Sequence, residues 1–167
     1  GDDRMIFVTV GSQKFQFDRL IKAVDGLVAS GVARDGAFAQ TGACAYIPEH
    51  MEHEAFLDRD SFRAHMDACD VVVTHGGTGA IIGAVKDGKK IIAVPRLAKY
   101  GEHVDDHQIE IVRQFGEMGL IEPCVDPGDL LEAYVRVTTK DYLPYRSNTE
   151  HFCADLSEYI DGFGDDR

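Results

Sequence analysis

Residues Asp70 to Gly79, Asp-Val-Val-Val-Thr-His-Gly-Gly-Thr-Gly, constrain the fold more than any other stretch of the chain. Three consecutive valines read as a strand buried on both faces, and the glycines after them form a turn from which a helix over about 79–87 begins. A strand of that kind, followed at once by a helix, belongs to a βαβ arrangement and so to a parallel sheet. The turn also carries chemistry. Glycines let the backbone approach an anion with no Cβ in between, and the first helical turn offers unpaired N–H groups and about half a positive charge.

Two familiar phosphate-binding patterns do not fit this turn. A P-loop needs Gly-Lys followed by Ser or Thr at the helix start, and the nearest lysine, Lys86, lies two turns further on. A dinucleotide fingerprint fails on spacing, because Gly77, Gly79 and Gly83 run G-x-G-x-x-x-G after a middle strand and no acid stands near position 97.

The rest of the chain supplies more of the same units. Met5 to Val10 reads as a buried strand ended by Gly11-Ser12-Gln13, and Phe17 to Ala29 carries apolar residues at helical spacing up to Ser30-Gly31. A weak strand near 37–41 and an irregular stretch rich in His and Glu follow. That stretch, with His50 and His53, reads as a solvated connection. A helix capped by Asp60 or Ser61 is expected to run to Ala68. Further on come strand 70–74, strand 90–94, a helix over about 105–118, a strand over 120–125 and a helix over about 128–138. The C-terminal segment 146–163 holds a last helix, from about Asn148 to Gly162, with Phe152, Leu156, Tyr159, Ile160 and Phe163 on one stripe. That stripe fits docking on its own domain, or burial of a partner's helix or strand. The fold class is therefore α/β, a single Rossmann-like doubly wound parallel sheet over residues 5–167. Tyr142, Tyr145 and Tyr159 read as packing residues.

Composition narrows the partners. A net charge of −12 over 167 residues argues against direct contact with nucleic acid or an anionic lipid surface. Cys44, Cys69, Cys124 and Cys153 are scattered, without a C-x-x-C pair or a secretory signal, as in a reducing cytoplasm. No apolar run approaches the ~20 residues that span a bilayer. Met5 reads as the natural start, with Gly-Asp-Asp-Arg both before it and at 164–167.

In doubly wound sheets ligands gather at the carboxyl ends of the strands, where Gly11 to Gln13, His75 to Gly79, Pro95 to Tyr100 and the helix start at Asp105 would converge. The residues at those ends carry a resemblance. Met5 to Leu20, Thr74 to Gly79, Gly88 to Arg96 (Gly-Lys-Lys-Ile-Ile-Ala-Val-Pro-Arg) and Gly101 to Gln108 (Gly-Glu-His-Val-Asp-Asp-His-Gln) together resemble the C-terminal, donor-binding half of family 28 glycosyltransferases. The likeness covers about residues 5–125. It is strongest to the split members: the soluble subunit of the two-part UDP-N-acetylglucosamine transferase of N-glycan assembly, and bacterial exopolysaccharide counterparts of the PssE type.

The resemblance implies a GT-B half-fold, independence of metal and other cofactors, and a UDP-sugar as donor. It implies that Gly11, Ser12 and Gln13 and the turn Gly76, Gly77, Thr78 and Gly79 face the diphosphate, and that Asp106, His107 and Gln108 hydrogen-bond the sugar. Arg96 or Lys99 is either a point charge at the same rim or a solvated cation. His75 either contacts substrate or braces the turn. No catalytic residue is assigned; His75 and His107 are the candidates. Glu102, His103, Asp106 and His107 could hold a divalent ion at a helix start, but read better as a polar edge for the sugar. One departure stands out, since related transferases carry a ribose-gripping carboxylate where this chain has Gly83.

A first strand at the fifth residue leaves no room for an acceptor half. A second, membrane-anchored polypeptide is therefore expected to supply the acceptor site, the general base and the contact with a lipid-linked saccharide, holding this chain at the inner face of the membrane. The resulting expectation is the catalytic subunit of a two-component, inverting glycosyltransferase of cell-surface polysaccharide synthesis. The competing expectations are a noncatalytic accessory subunit and a free-standing nucleotide-sugar hydrolase or epimerase.

Overall fold

The computed structural model describes residues 5–11 and 14–144. The expected C-terminal helix, Tyr145, Tyr159, Cys153, Ser12 and Gln13 lie outside them. Six strands form one fully parallel sheet: β1 (Ile6–Thr9), β2 (Ala37–Gln40), β3 (Glu52–Glu54), β4 (Val71–His75), β5 (Lys90–Val94) and β6 (Glu122–Pro123). Their order is β3-β2-β1-β4-β5-β6, so the chain builds outward from β1 in one direction and then returns to β1's other side. The reversal leaves a crevice between the carboxyl ends of β1 and β4, the place where open α/β sheets hold ligands. Thr9 is in register with Thr74 across that seam and with Gln40 on its other side.

Among the described residues five helices cover the sheet: α1 (Asp18–Ala29), α2 (Arg59–Ala68), α3 (Thr78–Lys86), α4 (Gln108–Glu117) and α5 (Leu130–Thr139). The two-residue period of the strands sorts the core into two layers. Ile6, Val8, Val71, Val73, Ile92 and Val94 pack on α1 and α5 through Leu20, Ile21, Val24, Leu130 and Val137. Phe7, Val72, Ile91 and Ala93 pack on α2, α3 and α4 through Met66, Ile81, Val85, Ile111 and Phe115. Each such side chain, fully removed from water, contributes about 1.5–3 kcal/mol.

Several boundaries differ from the sequence expectation. The His- and Glu-rich stretch is not simply a solvated connection: Glu52–Glu54 pairs with β2 as an exposed edge strand. Buried Asp25 ties the preceding loop to α1 by accepting from the Tyr46 hydroxyl (2.7 Å) and from the backbone N–H groups of Glu49 (2.9 Å) and His50 (2.8 Å). Helix α2 is capped by Asp58, whose Oδ1 accepts from the Ser61 N–H at 2.7 Å, rather than by Asp60 or Ser61. Helix α4 begins at Gln108 rather than near 105, because residues 101–107 are held in a loop by hydrogen bonds of their own. Strand β6 spans only two of the six expected residues, and its buried Glu122 pairs with Arg136 at 2.7 Å and accepts from the Tyr142 hydroxyl.

Candidate functional site at the carboxyl rim

The end of β4 turns into α3 through Gly76 and Gly77. Gly77 occupies the position before the first helical residue and no side chain among the described residues caps the helix, which leaves its first amides available to an acceptor. The hydroxyls of Thr74 and Thr78 are buried and have no partner among the described residues. Gly76 is required sterically: a Cβ there would sit 2.9 Å from Val112 Cγ2 and 3.0 Å from Gln108 Cβ. Gly11, at the end of β1, has φ +75°, and a Cβ on it would lie 2.6 Å from His75 Nε2. The two turns thus meet across the seam with only an imidazole between them.

His75 is 1% exposed, and its Nδ1 has no partner among the described residues. Burial, followed by the positive charges of Arg96 and His103, pushes its pKa down to about 3. The ring is neutral at physiological pH, so the group between the two turns is an uncharged imidazole rather than a cation.

Gln108 joins the turn to the loop after β5. Its Oε1 accepts from Gly76 N–H and from Arg96 N–H, each at 3.0 Å, and its side chain is fully buried. The amide of Gly76 is therefore occupied from within the protein, and the amides left to a ligand are those further along the turn. Arg96 does not supply a charge at the rim. Its guanidinium is fully buried and donates to the carbonyls of Phe15 (3.1 Å), Gln16 (3.2 Å), Glu102 (3.1 Å) and Val10, lying over the Phe17 ring at 5.2 Å. It stitches the segment after β1 to the segment after β5. Lys99 is exposed beside Tyr100.

Around the start of α4 the acidic residues are committed locally. Glu102 is buried and accepts from Arg19 Nε (3.0 Å) and Nη2 (2.9 Å) and from Leu97 N–H (2.9 Å). Asp106 Oδ1 accepts from Ala98 N–H at 2.8 Å, and Asp105 Oδ1 accepts from the backbone N–H of His107 at 3.1 Å and contacts its Nδ1. Glu102, His103, Asp106 and His107, the less favoured metal reading of the sequence, are therefore not assembled as a ligand set.

A groove of about 590 Å³ opens from the seam and runs between α2 and α3. Gly11, Gln40, Phe62, Gly79 and Gly83 line it, and neither Gly79 nor Gly83 has an atom within 4 Å of where a Cβ would be. The single carboxylate among its lining residues is Asp87, which is paired with Arg63 at 2.9 Å. Gln40 was not singled out by sequence; the signal for it was a polar residue ending a buried strand, and its Oε1 accepts from the Thr9 hydroxyl at 2.5 Å.

The chain is similar to UDP-N-acetylglucosamine transferase subunit ALG13 of Homo sapiens, at 28% identity over 130 residues that make up 72% of this chain and 11% of the human protein. It is 32% identical over 81 residues to the ALG13 subunit of Candida glabrata, covering 48% of this chain and 39% of that one. The chain thus spans a small part of these relatives' own length. In fold it matches the NMR solution structure of ALG13 with a TM-score of 0.66 at 19% identity, over 95% of this chain and 97% of that one. It also matches the calicheamicin glycosyltransferase CalG4 with a TM-score of 0.60 at 18% identity, over 98% of this chain and 40% of that one. With residues 5–160 matched by the profile of the glycosyltransferase family 28 C-terminal domain, the chain belongs to that family.

Proposed function

We propose that this chain is the UDP-sugar-binding, catalytic subunit of a two-component glycosyltransferase whose acceptor site lies on a second polypeptide. One observation carries the reading: at the seam between β1 and β4 a helix N-terminus with no side-chain cap among the described residues, and with the buried Thr78 hydroxyl unpartnered among them, adjoins a groove that Gly11 and Gly79 line and that is large enough for a nucleoside. The amides after Gly76 receive the diphosphate, the groove receives uridine, and the sugar faces Asp106 and His107. Cleavage of the sugar–diphosphate bond concentrates negative charge on the leaving group, and prepositioned amides stabilise it without a proton transfer. Gln108 and Arg96 act here by positioning, through the backbone they hold.

The surface around the site supports a second body closing over it. Ile47, Phe56 and Val104, on loops after β2, β3 and β5, are 70%, 62% and 72% exposed. Among the described residues no helix is long and apolar enough to cross a membrane, so in this reading contact with a lipid-linked saccharide comes through the partner. The similarity to subunits of a UDP-N-acetylglucosamine transferase supports a nucleotide sugar and a partner subunit; the lipid-linked acceptor and a role in cell-surface polysaccharide synthesis are part of the proposal.

Calorimetric titration with a series of UDP-sugars tests the reading. Saturable heat is expected for the native chain and its loss for Gly77→Val with an unchanged circular dichroism spectrum. No saturable heat in either form marks an accessory subunit, and turnover of UDP-sugar by the chain alone marks a free-standing hydrolase or epimerase.

A further inference from the structure

We propose that His103, Asp105 and His107 form a site for a divalent ion of the zinc class, on the loop that leads into α4. One ligand atom from each side chain can be chosen so that all three lie within 4.8 Å of one another, and side-chain rotation brings them to the roughly 3.3–3.6 Å spacing of tetrahedral bonds of about 2.0–2.2 Å. His103 Nδ1 lies 3.4 Å from Asp105 Oδ1, and His107 Nδ1 contacts the same oxygen. The two imidazoles stand edge to face at 73°, with centroids 5.0 Å apart.

The surroundings suit an ion held by three protein ligands with water in the fourth position. The His103 side chain is 2% exposed and packs against the Phe15 ring, while Asp105, 40% exposed, leaves a coordination position open to water. Two nitrogens and one oxygen favour Zn²⁺ or Co²⁺ over Mg²⁺ and Ca²⁺, which take all-oxygen sets. The set differs from the one the sequence suggested. Glu102 is turned to Arg19 and Asp106 to Ala98 N–H, whereas Asp105 Oδ1, which also accepts from the His107 backbone N–H at 3.1 Å, lies between the two histidine rings. Its negative charge also offsets the unfavourable placement of a cation near the N-terminus of α4. A bound ion would fix His107 directly before Gln108, whose Oε1 holds the amides of Gly76 and Arg96. The ion is thus a brace for the rim, apart from the amides of the glycine turn.

The test is titration of the metal-free full chain with Co²⁺, followed by visible absorption and by the melting temperature. The native chain is expected to give a saturable band at about one equivalent, displaced by Zn²⁺, with a rise in melting temperature. In His107→Ala and in the isosteric Asp105→Asn the affinity is expected to fall at least about tenfold. Absence of a saturable band overturns the proposal. So does a band of equal affinity in Asp105→Asn, which would come from other residues such as His50 and His53. If His107→Ala does not fold, Asp105→Asn decides alone. Calorimetry of Asp105→Asn with UDP-sugars is a separate readout, because Asp105 is not placed against the sugar, so loss of the ion site and loss of the nucleotide-sugar reading are distinguishable.

Discussion

The two halves of the carboxyl rim are built on opposite principles. On the side of β5 and α4, Arg96, Glu102 and Gln108 are buried, and each spends its polar atoms on backbone groups or on an internal ion pair. On the side of α2 and α3, Gly79 and Gly83 leave open space where side chains would be, within a groove that Phe62 and Met66 and the charged Arg59, Arg63, Lys86 and Asp87 also line. The difference teaches where recognition sits. Arg96 and Gln108, which look like ligand contacts in sequence, serve as scaffolding, and a ligand is left the amides beyond Gly76 and the groove beside α3. At the turn an anion is recognised by fixed dipoles, while Arg59, Arg63 and Lys86 line the groove further along.

The sharpest way to break the comparison is to remove the scaffold. Arg96→Met strips the carbonyls of Val10, Phe15, Gln16 and Glu102 of a charged donor at the same moment. Hydrogen bonds to a charged group are worth about 1.5–3 kcal/mol each, and buried carbonyls left alone add a desolvation penalty. Urea unfolding is expected to show a loss of at least about 3 kcal/mol. A loss below about 1 kcal/mol would mean that Arg96 is a surface cation after all.

His75, at the boundary between the two halves, gives the next effect. With a pKa of about 3 in the folded chain against 6.5 for an ordinary histidine, its proton binds the unfolded state first. The stability it contributes is complete above pH 6.5 and is lost as pH falls from there toward 3, at about 1.4 kcal/mol per unit. Between pH 6.5 and pH 5 the native chain is expected to lose about 2 kcal/mol that His75→Gln does not lose. Asp25, Asp105 and Glu122 are also held below their usual range, but their losses begin only near the ordinary carboxylate values of 3.8 to 4.5 and leave this window clear. Equal slopes in the two proteins would show that the imidazole is not buried neutral.

The same contrast decides what the sequence could reveal. Strands β1, β4 and β5 were legible because valine and isoleucine occupy both faces, and the turn at Gly76 and Gly77 because a strand and a helix bracket it. Strand β3 was not legible, since its Glu-His-Glu has no buried face and only the sheet-edge backbone pairing with Phe38 to Gln40 defines it. The role of Arg96 was hidden for a related reason. Its acceptors are carbonyls up to 86 residues away, and a carbonyl leaves no mark on residue identity. Gln108 was picked out as a polar group at the site, but that its oxygen faces inward to two amides follows from packing alone.

The glycines allow the finest comparison, since the two halves predict opposite signs for the same chemical change. At Gly76 an added methyl meets Val112 and Gln108 at 2.9 and 3.0 Å, so Gly76→Ala must push apart the α4 contact that fixes the turn. Overpacking of that kind costs about 1–3 kcal/mol, and here it also moves the carboxamide off two amides. At Gly83, inside α3, nothing stands within 4 Å, so Gly83→Ala is expected to stabilise by about 0.5–1 kcal/mol through helix propensity and the unfolded chain. Thermal unfolding of the two variants side by side measures the difference, and the melting temperatures should move in opposite directions. If Gly83→Ala stabilises the chain yet weakens UDP binding in the same calorimeter, the empty volume beside α3 is itself part of the binding surface. If UDP binding is unchanged, recognition is confined to the turn.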